Sequence, residues 1–455
     1  MDMFDVVIIG GGPGGYLCAE RCAQGGMKVA LIEVRHLGGT CLNEGCIPTK
    51  ALLNSAKIYR NATRSAVFGV TCENAAIDQK AVIAKKEAVI RTLVGGVSAA
   101  MNASKVEVFN GKGVIKGRCD GGFAVTVGDE EVQGRRLVIA TGSLNIIPPI
   151  SGLKEGLERG FVMTNTELLN NTRVPSHFTV IGGGVIGLEF ATFYASIGTR
   201  VTVIEAAEKI AGDTPDDVCK LLYSEMGKQG VEFKTGCRVT EIGEGSVTYE
   251  ESGETKVLDT ELVLLCVGRK PNTENLGLET LSIETNGAAV VTDRHLCTNI
   301  SGVYAIGDVN GKSMLAHTAY REAEVAANHM LGRKDEIRYE MMPYLIHTEP
   351  EYASVGLSEA EAKERGLNIK VIKLPMVYSG LYVAETDNGP GFIRVIADKD
   401  KKRMLGCAIC GDKAAELITT ASLMIDTELT PERLQKLCFP HPTVAEVIRE
   451  ALFRM

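Results

Sequence analysis

One hydrophobic pattern occurs twice along the chain. Residues 5–33 read DVVIIGGGPGGYLCAERCAQGGMKVALIE, and residues 177–205 read HFTVIGGGVIGLEFATFYASIGTRVTVIE. Each begins with a continuous apolar run, the mark of a strand buried on both faces. G-x-G-x-x-G follows, then apolar residues at helical spacing, a glycine, a second apolar run and a glutamate. Gly10 to Glu33 and Gly182 to Glu205 span the same 23 residues. The pattern predicts a βαβ dinucleotide-binding unit in both places. Gly10 and Gly182 serve the tight turn, Gly12 and Gly184 the backbone approach to a pyrophosphate, and Gly15 and Gly187 the packing of helix on strand. The helix N-terminus turns free N–H groups toward the phosphates. Glu33 and Glu205 stand where a carboxylate accepts from ribose hydroxyls.

Further apolar strands end in glycine at 135–143 (RRLVIATGS), 261–272 (ELVLLCVGRKPN) and 302–310 (GVYAIGDVN). Thr141, Gly142 and Gly268 close the first two, and Asp308 follows the third. Asp308 has two readings: a turn or helix-cap residue, or a hydrogen-bond partner for the sugar-alcohol chain of a flavin. Two units imply two dinucleotides, one of them a bound flavin. Pro148-Pro149 reads as a connector. From about Arg338 the chain alternates strand-like runs and then turns helical, as a separate α+β domain would. The expected fold is α/β: two Rossmann-like dinucleotide-binding domains plus a C-terminal α+β domain. The expected divisions are a flavin domain at 1–147, a nicotinamide domain at 148–270, a return segment to the flavin domain at 271–337 and a last domain at 338–455.

A length of 455 residues suits about three domains. Lys and Arg number 49 against 57 Asp and Glu, a net charge of −8 with no basic run. That argues against nucleic acid or an anionic membrane as partner. No apolar stretch reaches the ~18 residues of a membrane span. Only four residues precede the first apolar run, with no basic leader, so the chain is expected to be cytoplasmic; a processed organellar protein would look the same. Thirteen cysteines cannot all pair within one chain. In a reducing compartment most should be free and buried, and any disulfide redox-active.

Cys41 and Cys46 lie in GGTCLNEGCIPTK, directly after the first βαβ unit. In a regular helix they would be about 7.5 Å apart along the axis, too far to pair. Either Gly45 and Pro48 distort the start of the helix so that the two meet, or they are unrelated buried cysteines. His441 sits between two prolines, which predict an extended backbone ahead of a helix. Thr443 and Glu446 fit a T-x-x-E capping box; alternatively Glu446 orients His441. Cys18 and Cys22 share a helix face and read as core, and Cys407 and Cys410 point to opposite faces of a strand. No histidine has metal-ligand spacing, and no metal is expected.

Taken together, the two glycine motifs, GGTCLNEGCIPTK, YAIGDV, LAHTAYREA and HPTVAE resemble the pyridine nucleotide–disulfide oxidoreductases over nearly the whole chain. CLN with CIP, and LAH after the third glycine motif, are more like the lipoamide enzymes than the glutathione or trypanothione reductases. The resemblance implies FAD and NAD as cofactors, a homodimer joined by the C-terminal domain, and a lipoyl-bearing protein or free dihydrolipoamide as substrate. It implies Cys41 as the interchange thiol, Cys46 as the thiol against the flavin, and His441 as the base reaching in from the partner subunit with Glu446 behind it. Lys50 would pair with Glu189 near the flavin, and Ala316 would open a further cofactor contact. Glu205, with no Arg in the following EAAEK, implies NAD rather than NADP, because a carboxylate there repels a 2′-phosphate. Two positions depart from the family pattern: Glu44 lies inside the cysteine loop, and Phe439 stands where a second histidine is common.

Overall fold

The computed structural model describes residues 3–387 and 389–455. The first glycine unit forms the centre of a seven-stranded sheet. Its Phe4–Ile9 strand lies between Val29–Glu33 and Glu130–Ile139, parallel to both. Val303–Ala305 returns to pair with Glu130–Ile139, and two antiparallel strands, Gly122–Val127 and Gly113–Cys119, extend the sheet. The apolar run is continuous because both faces are covered. Val6 and Ile8 enter one core while Val7 and Ile9 enter the other. The Pro13–Gln24 helix buries Cys18 and Cys22 in the first of these cores, as their helical spacing predicts.

The second unit repeats the plan in a five-stranded parallel sheet ordered Val231–Thr235, Arg200–Glu205, His177–Ile181, Leu262–Leu265, Val162–Met163. A three-stranded antiparallel sheet, 238–259, stands beside it. Ser143–Asn145 and Arg269–Pro271 pair antiparallel, so the chain leaves the first sheet and comes back along adjacent tracks. The last sheet is antiparallel throughout and carries the Ala414–Asp426 helix on one face. On its Arg403–Cys410 strand, Cys407 and Cys410 enter different cores, as alternation requires. Among the described residues no helix is long and apolar enough to cross a membrane, and no group of His, Cys, Asp and Glu could hold a metal ion.

The three glycines of each motif answer to different constraints. Gly10 and Gly182 have φ of +109° and +113°, and a Cβ there would strike the carbonyl oxygens of Ala140 and Cys266. A Cβ at Gly15 would stand 1.7 Å from the Gly10 oxygen, and one at Gly187 2.1 Å from the Gly182 oxygen. Gly12 and Gly184 have ordinary φ values of −74° and −76°. A Cβ on Gly184 would meet nothing within 4 Å, and one on Gly12 only ordinary contact at 3.8 Å. Nothing in the fold itself requires glycine at these two positions. Gly187→Ala should therefore cost about 3 kcal/mol or more of stability through overpacking against backbone. Gly184→Ala should cost about 1 kcal/mol or less while weakening the binding of a dinucleotide to this unit, if its motif serves as the sequence implies. Chemical denaturation with a binding titration checks the pair, and equal destabilisation by both would refute the distinction.

Candidate active site

A cleft of about 1660 Å³ runs between the two glycine units. Gly10, Gly12, Glu33, Cys41, Cys46, Lys50, Thr141, Gly142, Gly182, Gly184, Glu189, Glu205, Gly268, Asp308 and Ala316 all line it. Gly15 and Gly187 lie behind its walls, at the crossing of helix and strand. His441 and Glu446 are not among its lining residues.

Each motif glutamate braces its own loop. Glu33 accepts from the Gly11 N–H at 2.6 Å and the Arg35 N–H at 2.7 Å. Glu205 accepts from Gly183 at 2.6 Å and Ala207 at 2.7 Å. The two units match bond for bond. Neither glycine-motif helix has a side-chain cap at its start, so both present uncapped N–H groups to the cleft beside a glycine that leaves room for a phosphate. These cradles fit two dinucleotides. Asp308 lies on the wall nearer the first cradle. Ser143 Oγ donates to it, and Arg269 Nε donates to Ser143 Oγ at 2.7 Å. Burial raises the Asp308 carboxyl above its ordinary value.

The Gly39–Glu44 helix stops and the Cys46–Thr63 helix begins at Gly45, which carries no side chain to crowd Thr40 O, 3.0 Å from where a Cβ would sit. This break brings the two sulfurs into hydrogen-bond contact, both as thiols. Cys41 keeps the proton: its hydrogen bond to Cys46, then burial, push it far up. Cys46 is lowered to about 7, first by that bond and then by the Lys50 ammonium, with burial and Glu189 opposing. Cys46 is also the first residue of its helix, where the dipole favours a thiolate. Lys50 Nζ donates to both Glu189 oxygens, at 2.7 and 2.8 Å. Glu189 is 3% exposed, so the ammonium is what keeps its charge compensated.

Glu44, the residue outside the family pattern, pairs with Arg35 at 2.6 Å, and its carbonyl accepts from Asn165 Nδ2 at 2.6 Å. It ties the cysteine loop to the second domain. Phe439 packs against the C-terminal core.

His441 is 78% exposed, with Nδ1 3.0 Å from Glu446 Oε1. That hydrogen bond holds the Glu446 carboxyl below its usual range. The segment differs from its sequence pattern in two respects. The His441–Pro442 bond is cis, so the backbone turns. The capping box is half made: Glu446 accepts from the Thr443 N–H at 3.1 Å, but the Thr443 hydroxyl donates to Pro440 O and the helix starts at Glu446. The Glu446 N–H that a cap hydroxyl would receive goes instead to the Thr443 carbonyl, at 3.3 Å.

Tyr16 and Tyr320, whose hydroxyls are 2.6 Å apart, and the Arg269–Ser143 support of Asp308 had no signal of their own in the sequence. Tyr320 and Arg269 lie inside the quoted motifs, but their partners are 304 and 126 residues away.

Residues 4–323 match the family described as pyridine nucleotide-disulphide oxidoreductase, and residues 342–452 match the dimerisation domain of that family. The chain belongs to the pyridine nucleotide–disulphide oxidoreductases. Among its relatives, the dihydrolipoyl dehydrogenase of Chlamydia muridarum is 36% identical over 453 residues, covering 99% of this chain and 96% of that protein. A dihydrolipoyl dehydrogenase of Bacillus subtilis is 38% identical, with 98% and 95% covered. Among solved structures, the copper(II) complex of the HOCl-induced flavoprotein disulfide reductase RclA from Escherichia coli superposes with a TM-score of 0.87 at 28% identity, covering all of both chains. The α/β architecture with a dimerisation domain is thus the family's own.

The dithiol geometry sets a pH dependence. In the reduced protein one sulfur should ionise near pH about 7, so thiolate absorbance is lost as pH falls through that value. Cys46→Ser should abolish this low transition. Lys50→Met should move it up and Glu189→Gln should move it down. Spectrophotometric titration of the four proteins checks this, and an unmoved midpoint in both charge variants would contradict the electrostatic account.

Proposed function

We propose that the protein is a dihydrolipoyl dehydrogenase that oxidises dihydrolipoyl groups, on a lipoyl-bearing protein or free, and delivers the electrons to NAD⁺. The observation that carries this reading is the hydrogen-bonded Cys41–Cys46 pair in a cleft with two dinucleotide cradles. The full-length relatives named dihydrolipoyl dehydrogenase support it. FAD bound at the first cradle would supply two-electron chemistry between the cysteine pair and the nicotinamide. Gly12, Glu33 and Asp308 would hold it, and Gly184 and Glu205 would hold NAD. We assign the flavin domain to 1–147 and 271–337, the nicotinamide domain to 148–270 and the dimerisation domain to 338–455.

In this scheme His441, oriented by Glu446, takes a proton from one substrate thiol. The resulting thiolate attacks Cys41 Sγ of the disulfide form, and Cys46 leaves as a thiolate. The second substrate thiol then attacks the substrate sulfur of the mixed disulfide. It closes the lipoyl ring and releases Cys41, which takes up that second thiol's proton and ends as the thiol. Two electrons now reside on the pair, and Lys50 and the helix N-terminus hold the charge on Cys46. His441 is absent from the cleft of its own chain, which supports a homodimer in which each copy supplies the other's base.

Two features favour NAD over NADP. The Glu205 carboxylate is fixed at the strand end by two backbone N–H groups. Lys209, which also lines the cleft, is engaged with Thr214 O at 2.9 Å and Asp216 at 3.1 Å. A reducing, cytoplasmic setting is part of this reading, since it would keep the eleven other cysteines as thiols. The purified flavoprotein should turn over dihydrolipoamide with NAD⁺ and prefer it to NADP⁺ by about a hundred-fold in kcat/KM, because like charges meet in the NADP⁺ complex. Faster turnover of glutathione disulfide with NADPH would overturn the assignment.

A further inference from the structure

All three parts of the chain meet at one point in the cleft. Lys50 comes from the Cys46–Thr63 helix, Glu189 from the Val185–Ser196 helix, and His347 from the turn after the Tyr344–Ile346 strand of the C-terminal sheet. The His347 backbone N–H donates to Glu189 Oε1 at 3.2 Å, on the same carboxylate that holds Lys50. This bond fixes the backbone of residue 347, and the residue lines the cleft.

The imidazole is half-buried, yet neither ring nitrogen has a hydrogen-bond partner among the described residues. In this it stands apart. His177, His295, His317, His329 and His441 each have a ring partner, and His36 is exposed. Both ring nitrogens are thus uncommitted within the protein at the wall of the cleft, where a molecule entering the cleft can supply their partners. Burial and the Lys50 ammonium hold the imidazolium below its ordinary value, so near neutral pH the ring is uncharged. It then offers one N–H donor and one lone-pair acceptor.

A nicotinamide carboxamide presents the complementary pair, a carbonyl acceptor and an NH₂ donor. The position agrees. Glu189 lies five residues beyond Gly184, about 7.5 Å along the helix axis. Gly184, Glu189 and His347 line one cleft, so a dinucleotide whose pyrophosphate sat at Gly184 would have its nicotinamide end to place along the same wall. The same point is electrostatically coupled to Cys46 through Lys50 and Glu189. We propose that His347 is a nicotinamide-positioning residue that hydrogen-bonds the carboxamide of NAD. The proposal rests on the reading of the second cradle as the nicotinamide site.

The test uses coenzyme analogues on the FAD-loaded protein. The 3-acetylpyridine analogue of NAD⁺ replaces the amide NH₂ with a methyl group, and the thionicotinamide analogue replaces the carbonyl oxygen with sulfur, a poorer acceptor. kcat/KM for dihydrolipoamide oxidation is measured with NAD⁺ and both analogues in wild type, His347→Phe and His347→Gln. In the Phe variant the preference for NAD⁺ over at least one analogue should fall about five-fold, the worth of one neutral hydrogen bond. The Gln variant, which keeps a donor and an acceptor, should recover part of it. FAD content equal to wild type shows that the flavin domain is intact. If the Phe variant fails to fold, His347→Ala takes its place with the same expected loss.

If both preferences stay within two-fold of wild type while overall activity drops, His347 is structural and the proposal fails. A shifted flavin spectrum with unchanged preferences would place the ring on the flavin and would equally overturn it. Wild-type protein that does not use NAD⁺ at all would instead remove the underlying reading of the cleft.

Discussion

Two thiols five residues apart meet only if the helix between them stops and restarts, and the break at Gly45 is the constraint on which the rest of the site depends. It places Cys46 at the first position of an 18-residue helix and turns Cys41 back over it. One proton then serves two sulfurs. Cys41 holds it, and Cys46 is left to carry charge. A charged sulfur in a half-buried cleft needs compensation. Lys50, one helical turn along, supplies it, while Glu189 from the second domain keeps that ammonium in place. The ion pair therefore does two things: it tunes a sulfur and it pins two domains together at the point where their cofactor cradles face each other.

The cradles are a second, separable layer. Each is a loop whose glutamate grips the backbone beside the first motif glycine. That loop leaves an open surface at Gly12 and Gly184, where a Cβ would meet no atom of the protein closer than 3.8 Å. The same bonds recur in both units, so they do not themselves distinguish a flavin from a nicotinamide nucleotide. Ser143, Arg269 and Asp308 gather toward the first cradle, and Lys50, Glu189 and His347 beyond the second.

How much of this was legible in the sequence follows from the range of each interaction. Gly10, Gly15, Gly182 and Gly187 answer to atoms within their own βαβ unit and its adjoining strand, and pattern alone located them. Cys41 and Cys46 could be linked by resemblance but not by helical spacing, because spacing assumes the continuous helix that Gly45 interrupts. The alternation of Cys407 and Cys410 and the shared face of Cys18 and Cys22 were readable for the same local reason. Thr443 was not: the Glu446 N–H could go to the Thr443 hydroxyl or to the Thr443 carbonyl, and pattern cannot choose between them. Tyr16 with Tyr320, Arg269 with Ser143, and His347 with Glu189 are joined across 126 to 304 residues. Those contacts exist only once the chain has folded.

The proposed scheme draws its base, His441, from outside the cleft that holds the two cysteines. His441 and Glu446 form a bonded, exposed pair on the dimerisation domain, off the cleft wall, and in the proposed scheme this pair serves the cleft of a second copy of the chain. A heterodimer of one chain carrying Cys41→Ser and another carrying His441→Gln tests this most directly. Sites built across the interface leave one of its two sites with both defects and the other with none. Mixing and refolding the two inactive homodimers should then restore about half of wild-type activity per heterodimer. A preparation shown to contain heterodimer and still inactive would contradict the account.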